Sequence, residues 1–174
     1  MISVVIPHYP FSDEINKTLG NTISTLRGYD ELIVYSNHGI GFAKAVNKAV
    51  ELAHGEYIIV MNNDMELNAG TLAELATPGQ VTSPLINGKS QPFWGACFCM
   101  PRDIYENLLV DGKLLNERFE VGYYEDEDLL KRIQALGIPH SCCPWVNLNH
   151  VGESTMKHMK KTTDNEKIFK ELWG

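Results

Sequence analysis

Long hydrophobic runs are missing from this 174-residue chain. No stretch of eighteen apolar residues occurs, so no membrane-spanning helix is expected. The opening MISVVIPHYP lacks both a basic leader and a small-residue cleavage site, and reads as a buried first strand rather than a signal peptide. Positive charge is scarce: 15 Lys and Arg against 22 Asp and Glu leave a net charge of −7. That balance excludes a general grip on nucleic-acid phosphates while leaving room for a few phosphates in a local pocket. Cysteine is limited to Cys97-x-Cys99 and the adjacent pair Cys142-Cys143. Neither spacing suits a zinc site, and adjacent cysteines rarely bridge. Reduced thiols in a cytoplasmic protein are the plain expectation. No repeat, low-complexity tract or linker divides the chain, and its length suits one domain with its own apolar core.

What is present is an alternation of strands and helices. ISVVIP (2–7) is a continuous β-branched run ended by proline, the pattern of a buried parallel strand. Residues 12–27 carry Ile15, Leu19, Ile23 and Leu26 at helical spacing, with Ser12 to cap and Gly28 to stop. ELIVY (31–35) is a second strand, Gly41 to Ala53 a second helix with one apolar stripe, and EYIIVM (56–61) a third strand. Further on, a short helix is expected over 68–76 and a strand over 81–86, with Asn87-Gly88 turning. A strand-like run fills 92–100, and a helix runs from Pro101 to about 109. A helix over 125–136 has acids in its first turn, and a strand over about 140–148 follows. Short βαβ links predict an α/β domain with a mainly parallel central sheet and flanking helices.

Three segments carry residues suited to chemistry. Asn62-Asn63-Asp64 leaves a buried strand at its carboxyl end, where open α/β sheets gather ligands and a carboxylate can hold a divalent cation. An Asx-rich turn explains the same residues. Glu125-Asp126-Glu127-Asp128 opens a helix; capping accounts for it, and so does a carboxylate held rigidly at a pocket edge. His150, in Asn149-His150-Val151-Gly152-Glu153-Ser154-Thr155, can ligate a metal through one imidazole nitrogen or serve structure alone.

In order along the chain, these segments resemble family 2 of the glycosyltransferases, the inverting GT-A enzymes, and in particular their rhamnosyltransferase-like members. VVIPHYP resembles the nucleotide-binding start of that family. GIGFAKAVNKAVELAHGEYIIVMNNDMEL resembles the helix and strand leading into its metal motif, with Asn62-x-Asp64 at the DxD position. WGACFCMPRDIYENL is similar to the acceptor-side strand and helix, and FEVGYYEDEDLLKRIQALG to the ED motif and its helix. NHVGEST is similar to the late metal-binding histidine and phosphate-side loop, and KIFKELWG to the closing segment.

The resemblance implies a single minimal GT-A domain over 1–174, with a nucleotide-sugar half (1–67), an acceptor half (80–152) and a basic C-terminal lid or helix (153–174). It implies that Asp64 and His150 bind Mn²⁺ or Mg²⁺ and that Asp126, beside Glu125, is the general base. Pro7, His8, Tyr9, Ser36, Asn37, Gly41, Lys44, Asn47, Asn62 and Asn63 are implied around the donor. Trp94, Gly95 and Ala96 are implied beneath the acceptor, and Ser154, Thr155, His158 and Lys160 over the diphosphate. A solvated amphipathic helix is the equal alternative for that tail. One departure stands out: the strand-two aspartate that reads the base in the family is absent, and Tyr35-Ser36-Asn37-His38 runs almost directly into Gly39-Ile40-Gly41.

The function so implied is transfer of a sugar from a UDP-, GDP- or dTDP-sugar to an acceptor hydroxyl, in glycan or surface polysaccharide synthesis. Glycosylation of a modified DNA base is an alternative acceptor reading. A nucleotidyltransferase would bring a glycine-rich basic loop near the N-terminus, and His8-Tyr9-Pro10-Phe11 has none. A non-catalytic sugar-binding module is the other rival, opposed by the joint presence of Asp64, Asp126 and His150.

Overall fold

The computed structural model describes residues 1–152 and 164–174. Its elements run β1 (Ile2–His8), α1 (Asp13–Thr25), β2 (Glu31–Ser36), α2 (Phe42–Glu51), β3 (Tyr57–Met61) and β4 (Met65–Ala69). A 3₁₀ turn (Leu72–Leu75), β5 (Val81–Ile86), β6 (Cys97–Pro101), α3 (Arg102–Asn107), α4 (Glu125–Ala135), β7 (His140–His150) and α5 (Asp164–Trp173) complete it. The seven strands form one sheet in the order β2-β1-β3-β6-β5-β7-β4. β1 pairs in parallel with β2 and β3, and β5 with β7; the β3–β6, β5–β6 and β4–β7 pairs are antiparallel.

Alternation along β1 and β3 explains why apolar side chains run consecutively through residues 4–6 and 58–61. Val5, Ile58 and Val60 face one core with Ala43, Val46, Ala49 and Val50 of α2 and Leu129 and Ile133 of α4. Val4, Ile6, Ile59 and Met61 face the other, under Leu72 and Leu75 of the 3₁₀ turn and beside Leu19 of α1 and Leu26 just after it. Successive side chains of a strand point to opposite faces, so a strand covered on both sides needs no polar positions. Each such side chain, almost wholly shielded from water, contributes roughly 1.5–3 kcal/mol.

Of the short helix expected over 68–76, only one 3₁₀ turn forms, at Leu72–Leu75. Met65–Ala69 is instead drawn into an edge strand by β7, with Met65 opposite His150 and Leu67 opposite Leu148. Gly70 then takes φ 77°, and a Thr71–Glu74 capping box opens a single 3₁₀ turn. Strand pairing outweighed the helical propensity of this segment. The strand-like run at 92–100 is also shorter than expected, because only Cys97–Pro101 pairs with β3.

A buried polar network fixes α4. Arg132 Nη2 lies 2.9 Å from Asp128 Oδ2 one turn back and donates to Leu114 O at 2.8 Å, while Nη1 donates to Leu108 O. Both charged side chains are buried. Arg132→Ala would remove the charge partner of Asp128, which keeps the Trp173 indole N–H, and the donor to two carbonyls, and a loss of about 3–5 kcal/mol is expected. Urea unfolding of the two proteins checks it; a loss below about 1 kcal/mol would mean that the pair contributes no more than a surface ion pair.

Candidate active site

β1 and β3 end side by side, and the turns that leave them build one wall of a cavity of about 220 Å³. Asn62-Asn63-Asp64 follows β3 directly. Asn62 N donates to Ala96 O at 2.9 Å and Thr22 Oγ1 to Asn63 O at 3.0 Å, so the turn is held by the segment leading into β6 and by α1. The β4–β7 pairing carries His150 to the same point: its Nε2 lies 3.2 Å from Asp64 Oδ1, and Val151 N donates to Asp64 O at 3.0 Å.

The opposite wall is the start of α4. Glu125 is only 5% exposed, and burial pushes its carboxyl up to about 7, with the neighbouring Asp126 charge adding to the rise. Burial also raises Asp126, opposed by the backbone N–H groups of Glu127 and of Asp126 itself. Gly95 faces this carboxylate: a Cβ at position 95 would lie 2.6 Å from Asp126 Cγ and closer still to its Oδ2 and Cβ. Glycine at 95 is therefore what lets Asp126 occupy its place. Val121, Tyr123 and Tyr124, immediately before α4, have φ of 67°, 78° and 72°. Non-glycine residues avoid this region, β-branched ones most of all.

Asp64, His150, Asp126, Glu125 and Asn62 thus line one cavity, together with Pro7, Tyr9, Asn37, Asn63, Gly95 and Ala96. Other residues singled out in the sequence stand elsewhere. Both ring nitrogens of His8 are engaged, Nε2 with Asn16 Oδ1 at 2.9 Å and Nδ1 with Asn63 Nδ2 at 3.0 Å, so this ring braces the turn. Asn47 joins Leu115 N, Leu115 O and Glu117, tying α2 to the 115–117 segment. Lys44 and Ser36 are exposed beyond the cavity wall. Gly41 caps α2 at φ 92°, beside Val121, and Trp94 packs against the second core. Ser154, Thr155, His158 and Lys160 lie outside the described residues. Phe42, Gly122 and Tyr123 line the cavity without having been anticipated; nothing in their residue type separates them from core or turn residues.

The donor set suits a hard divalent cation. Asp64 Oδ1 and Asn62 Oδ1 are buried without a hydrogen-bond partner among the described residues, a need that a bound cation would meet. The approach of His150 to Asp64 is an ion-pair distance rather than a directed hydrogen bond. Two oxygens and an imidazole nitrogen fit Mn²⁺ or Mg²⁺. Among the described residues no three His, Cys, Asp or Glu side chains form a cation cage, so coordination positions would remain for ligand oxygens. None of the described residues lining the cavity is Lys or Arg. A diphosphate there meets three carboxylates.

Residues 12–81 match the family model described as glycosyl transferase family 2. No curated protein matches the chain. Solved structures share its fold at low identity. GalNAc-T7 with UDP, GalNAc and Mn²⁺ aligns with a TM-score of 0.76 and 14% identity, over 99% of this chain and 48% of its own. Mannosyltransferase PcManGT from Pyrobaculum calidifontis, in complex with GDP-Man and Mn²⁺, aligns at 0.62 and 16%, over 97% and 67%. S. aureus TarS in complex with UDP-GlcNAc aligns at 0.63 and 15%, over 98% and 64%. The chain therefore spans about half the length of the first of these. Its match to the glycosyl transferase family 2 model is over residues 12–81, and the described residues on either side complete the fold that it shares with these solved structures.

Proposed function

We propose that this chain transfers a sugar from a nucleoside diphosphate sugar to an acceptor hydroxyl, with inversion at the anomeric carbon and dependence on a divalent cation. The observation that carries this reading is the convergence of Asp64, His150 and Asp126 on one cavity at the carboxyl ends of β1 and β3. Those side chains come from a turn, a strand end and a helix start more than 20 residues apart in every pairing.

Asp126 is the general base. It accepts the acceptor hydroxyl proton as that oxygen forms its bond to the anomeric carbon and the bond to the diphosphate oxygen breaks. A single base with no protein nucleophile suits direct displacement with inversion. Asp64, His150 and Asn62 would hold Mn²⁺ or Mg²⁺, which when bound supplies the positive charge the leaving diphosphate needs. Among the described residues no lysine or arginine lines the cavity, which accords with a cation in that role. Glu125, raised to about 7, retains its proton on a large share of molecules at neutral pH and limits repulsion of the donor. Pro7, Tyr9 and Asn37 bound the donor side, Gly95 and Ala96 the acceptor side.

A glycan or surface polysaccharide is the acceptor class we favour, and the cytoplasm the compartment, in keeping with four free thiols. No helix among the described residues is long and apolar enough to cross a membrane.

Asp64→Ala and His150→Ala are each expected to weaken donor binding in Mn²⁺ by about 10–100-fold, the scale of losing support at a metal site. Binding without Mn²⁺ is expected to change little. Calorimetry with UDP-, GDP- and dTDP-sugars, with and without Mn²⁺, checks both the donor and the cation. Equal affinity of wild type and variants in Mn²⁺ would remove these two residues from cation binding.

A further inference from the structure

The loop that delivers Glu125 and Asp126 is held from the far end of the chain. Asn165, on α5, is 1% exposed. Its Nδ2 donates toward Glu120 O at 2.9 Å, Gly122 O at 3.0 Å and Tyr123 O at 3.1 Å, and its Oδ1 accepts from Glu120 N at 3.1 Å. One amide thus satisfies the backbone of a segment in which Val121, Tyr123 and Tyr124 all have positive φ. Two further contacts of α5 follow at helical spacing. The Phe169 ring lies 5.4 Å from that of Tyr124, and Trp173 Nε1 donates to Asp128 Oδ1 at 2.9 Å. One helix face therefore grips residues 120 to 128, on both sides of Asp126.

Left-handed backbone at three non-glycine residues in four persists only where the surroundings impose it. A carbonyl pointed at a side-chain amide is such an imposition, since the loop forfeits buried hydrogen bonds if it relaxes. Gly122 and Tyr123 line the cavity themselves, and Asp126 begins three residues after Tyr123. We propose that Asn165 is a positioning residue for the transfer reaction: from α5 it holds residues 120–123 in their left-handed path and so sets Asp126 and Tyr123 against the cavity. The inference rests on the glycosyltransferase reading above, and it gives the C-terminal helix a share in catalysis without contact to either substrate.

The test compares kcat, KM for the donor and the pH profile in wild type, Asn165→Ala and the double variant Asn165→Ala/Val121→Gly. Asn165→Ala is expected to lower kcat by ~10–100-fold with donor KM within ~3-fold, since small misplacement of a reacting group costs rates of that order. The acid limb of its profile is expected to move toward the ordinary aspartate range, because a loosened Asp126 is less shielded. Glycine takes positive φ without steric penalty, so Val121→Gly in the Asn165→Ala background is expected to return at least ~5-fold of the lost kcat. If Asn165→Ala does not fold, Asn165→Ser, whose short hydroxyl reaches at most one of the three carbonyls, is measured with the same expectations. An active wild type whose Asn165 variants keep kcat within ~2-fold, or lose it with no glycine rescue and an unmoved acid limb, overturns the positioning role alone. A wild type that turns over no donor with Mn²⁺ overturns the transferase reading and this inference with it.

Discussion

Asp126→Asn is expected to lower turnover by about 10²–10⁴-fold, the range for loss of a general base, while donor affinity in Mn²⁺ stays near that of the wild type. The amide keeps the shape of the side chain beside Gly95 and removes its ability to take a proton, so only the chemical step suffers. The pH dependence has a definite sign. The base works ionised, and burial raises its pKa. Activity is therefore lost as pH falls through a limb above the ordinary aspartate range. Glu125, at about 7, titrates higher still, and its ionisation adds a charge beside the donor, so a second inflection near neutrality is expected. Single-turnover rates from pH 4 to 9 separate the two. Wild-type rates in Asp126→Asn would take this residue out of the mechanism, and Glu125→Gln would then be the variant to measure.

Gly95→Ala should be nearly as damaging, on purely steric grounds. The new methyl group would need space 2.6 Å from Asp126 Cγ, and nearer still to its Oδ2 and Cβ, well inside contact distance. The carboxylate sits at the rigid start of a helix and cannot swing away cheaply, so the helix start or residues 94–96 must move. A displacement near 1 Å costs on the order of 10²-fold in rate. The loss is expected in kcat, with donor affinity kept, because Asp64 and His150 lie on the other wall. Unchanged kcat in Gly95→Ala would mean that Asp126 has room that the structure does not show. The double variant Gly95→Ala/Asp126→Asn should be no slower than Asp126→Asn alone, since a displaced base and an absent one are the same defect.

Much of the scaffold was legible in the sequence because its signals are local. Continuous apolar runs gave β1 and β3, helical spacing gave α1 and α2, and four acids followed by Gly137 bounded α4. The 65–75 segment was not legible. That Met65–Ala69 is a strand, where a helix was expected from residue 68, depends on β7, some eighty residues away, and no local pattern carries that information. The site divides in the same way. Asp64, Asp126 and His150 stood out by residue type at strand and helix ends, and their order along the chain suggested a family. His8 and Asn47 looked equally suited to a ligand, yet their polar atoms are committed to Asn16, Asn63, Leu115 and Glu117. The sequence reports that a side chain can form hydrogen bonds but not which partners already hold it. Asn165 was missed for the opposite reason: a single asparagine in a basic tail gives no sign that it satisfies a strained backbone some forty residues upstream.

The register of β4 against β7, with Met65 opposite His150, has a kinetic corollary. The imidazole reaches Asp64 only once two strands some eighty residues apart in sequence have zipped together along the outer margin of the sheet. Loop closure over such a span is slow compared with helix formation. During refolding, then, helical signal should return well before manganese-linked nucleotide affinity, and ligand capture would time the last stitch of the sheet.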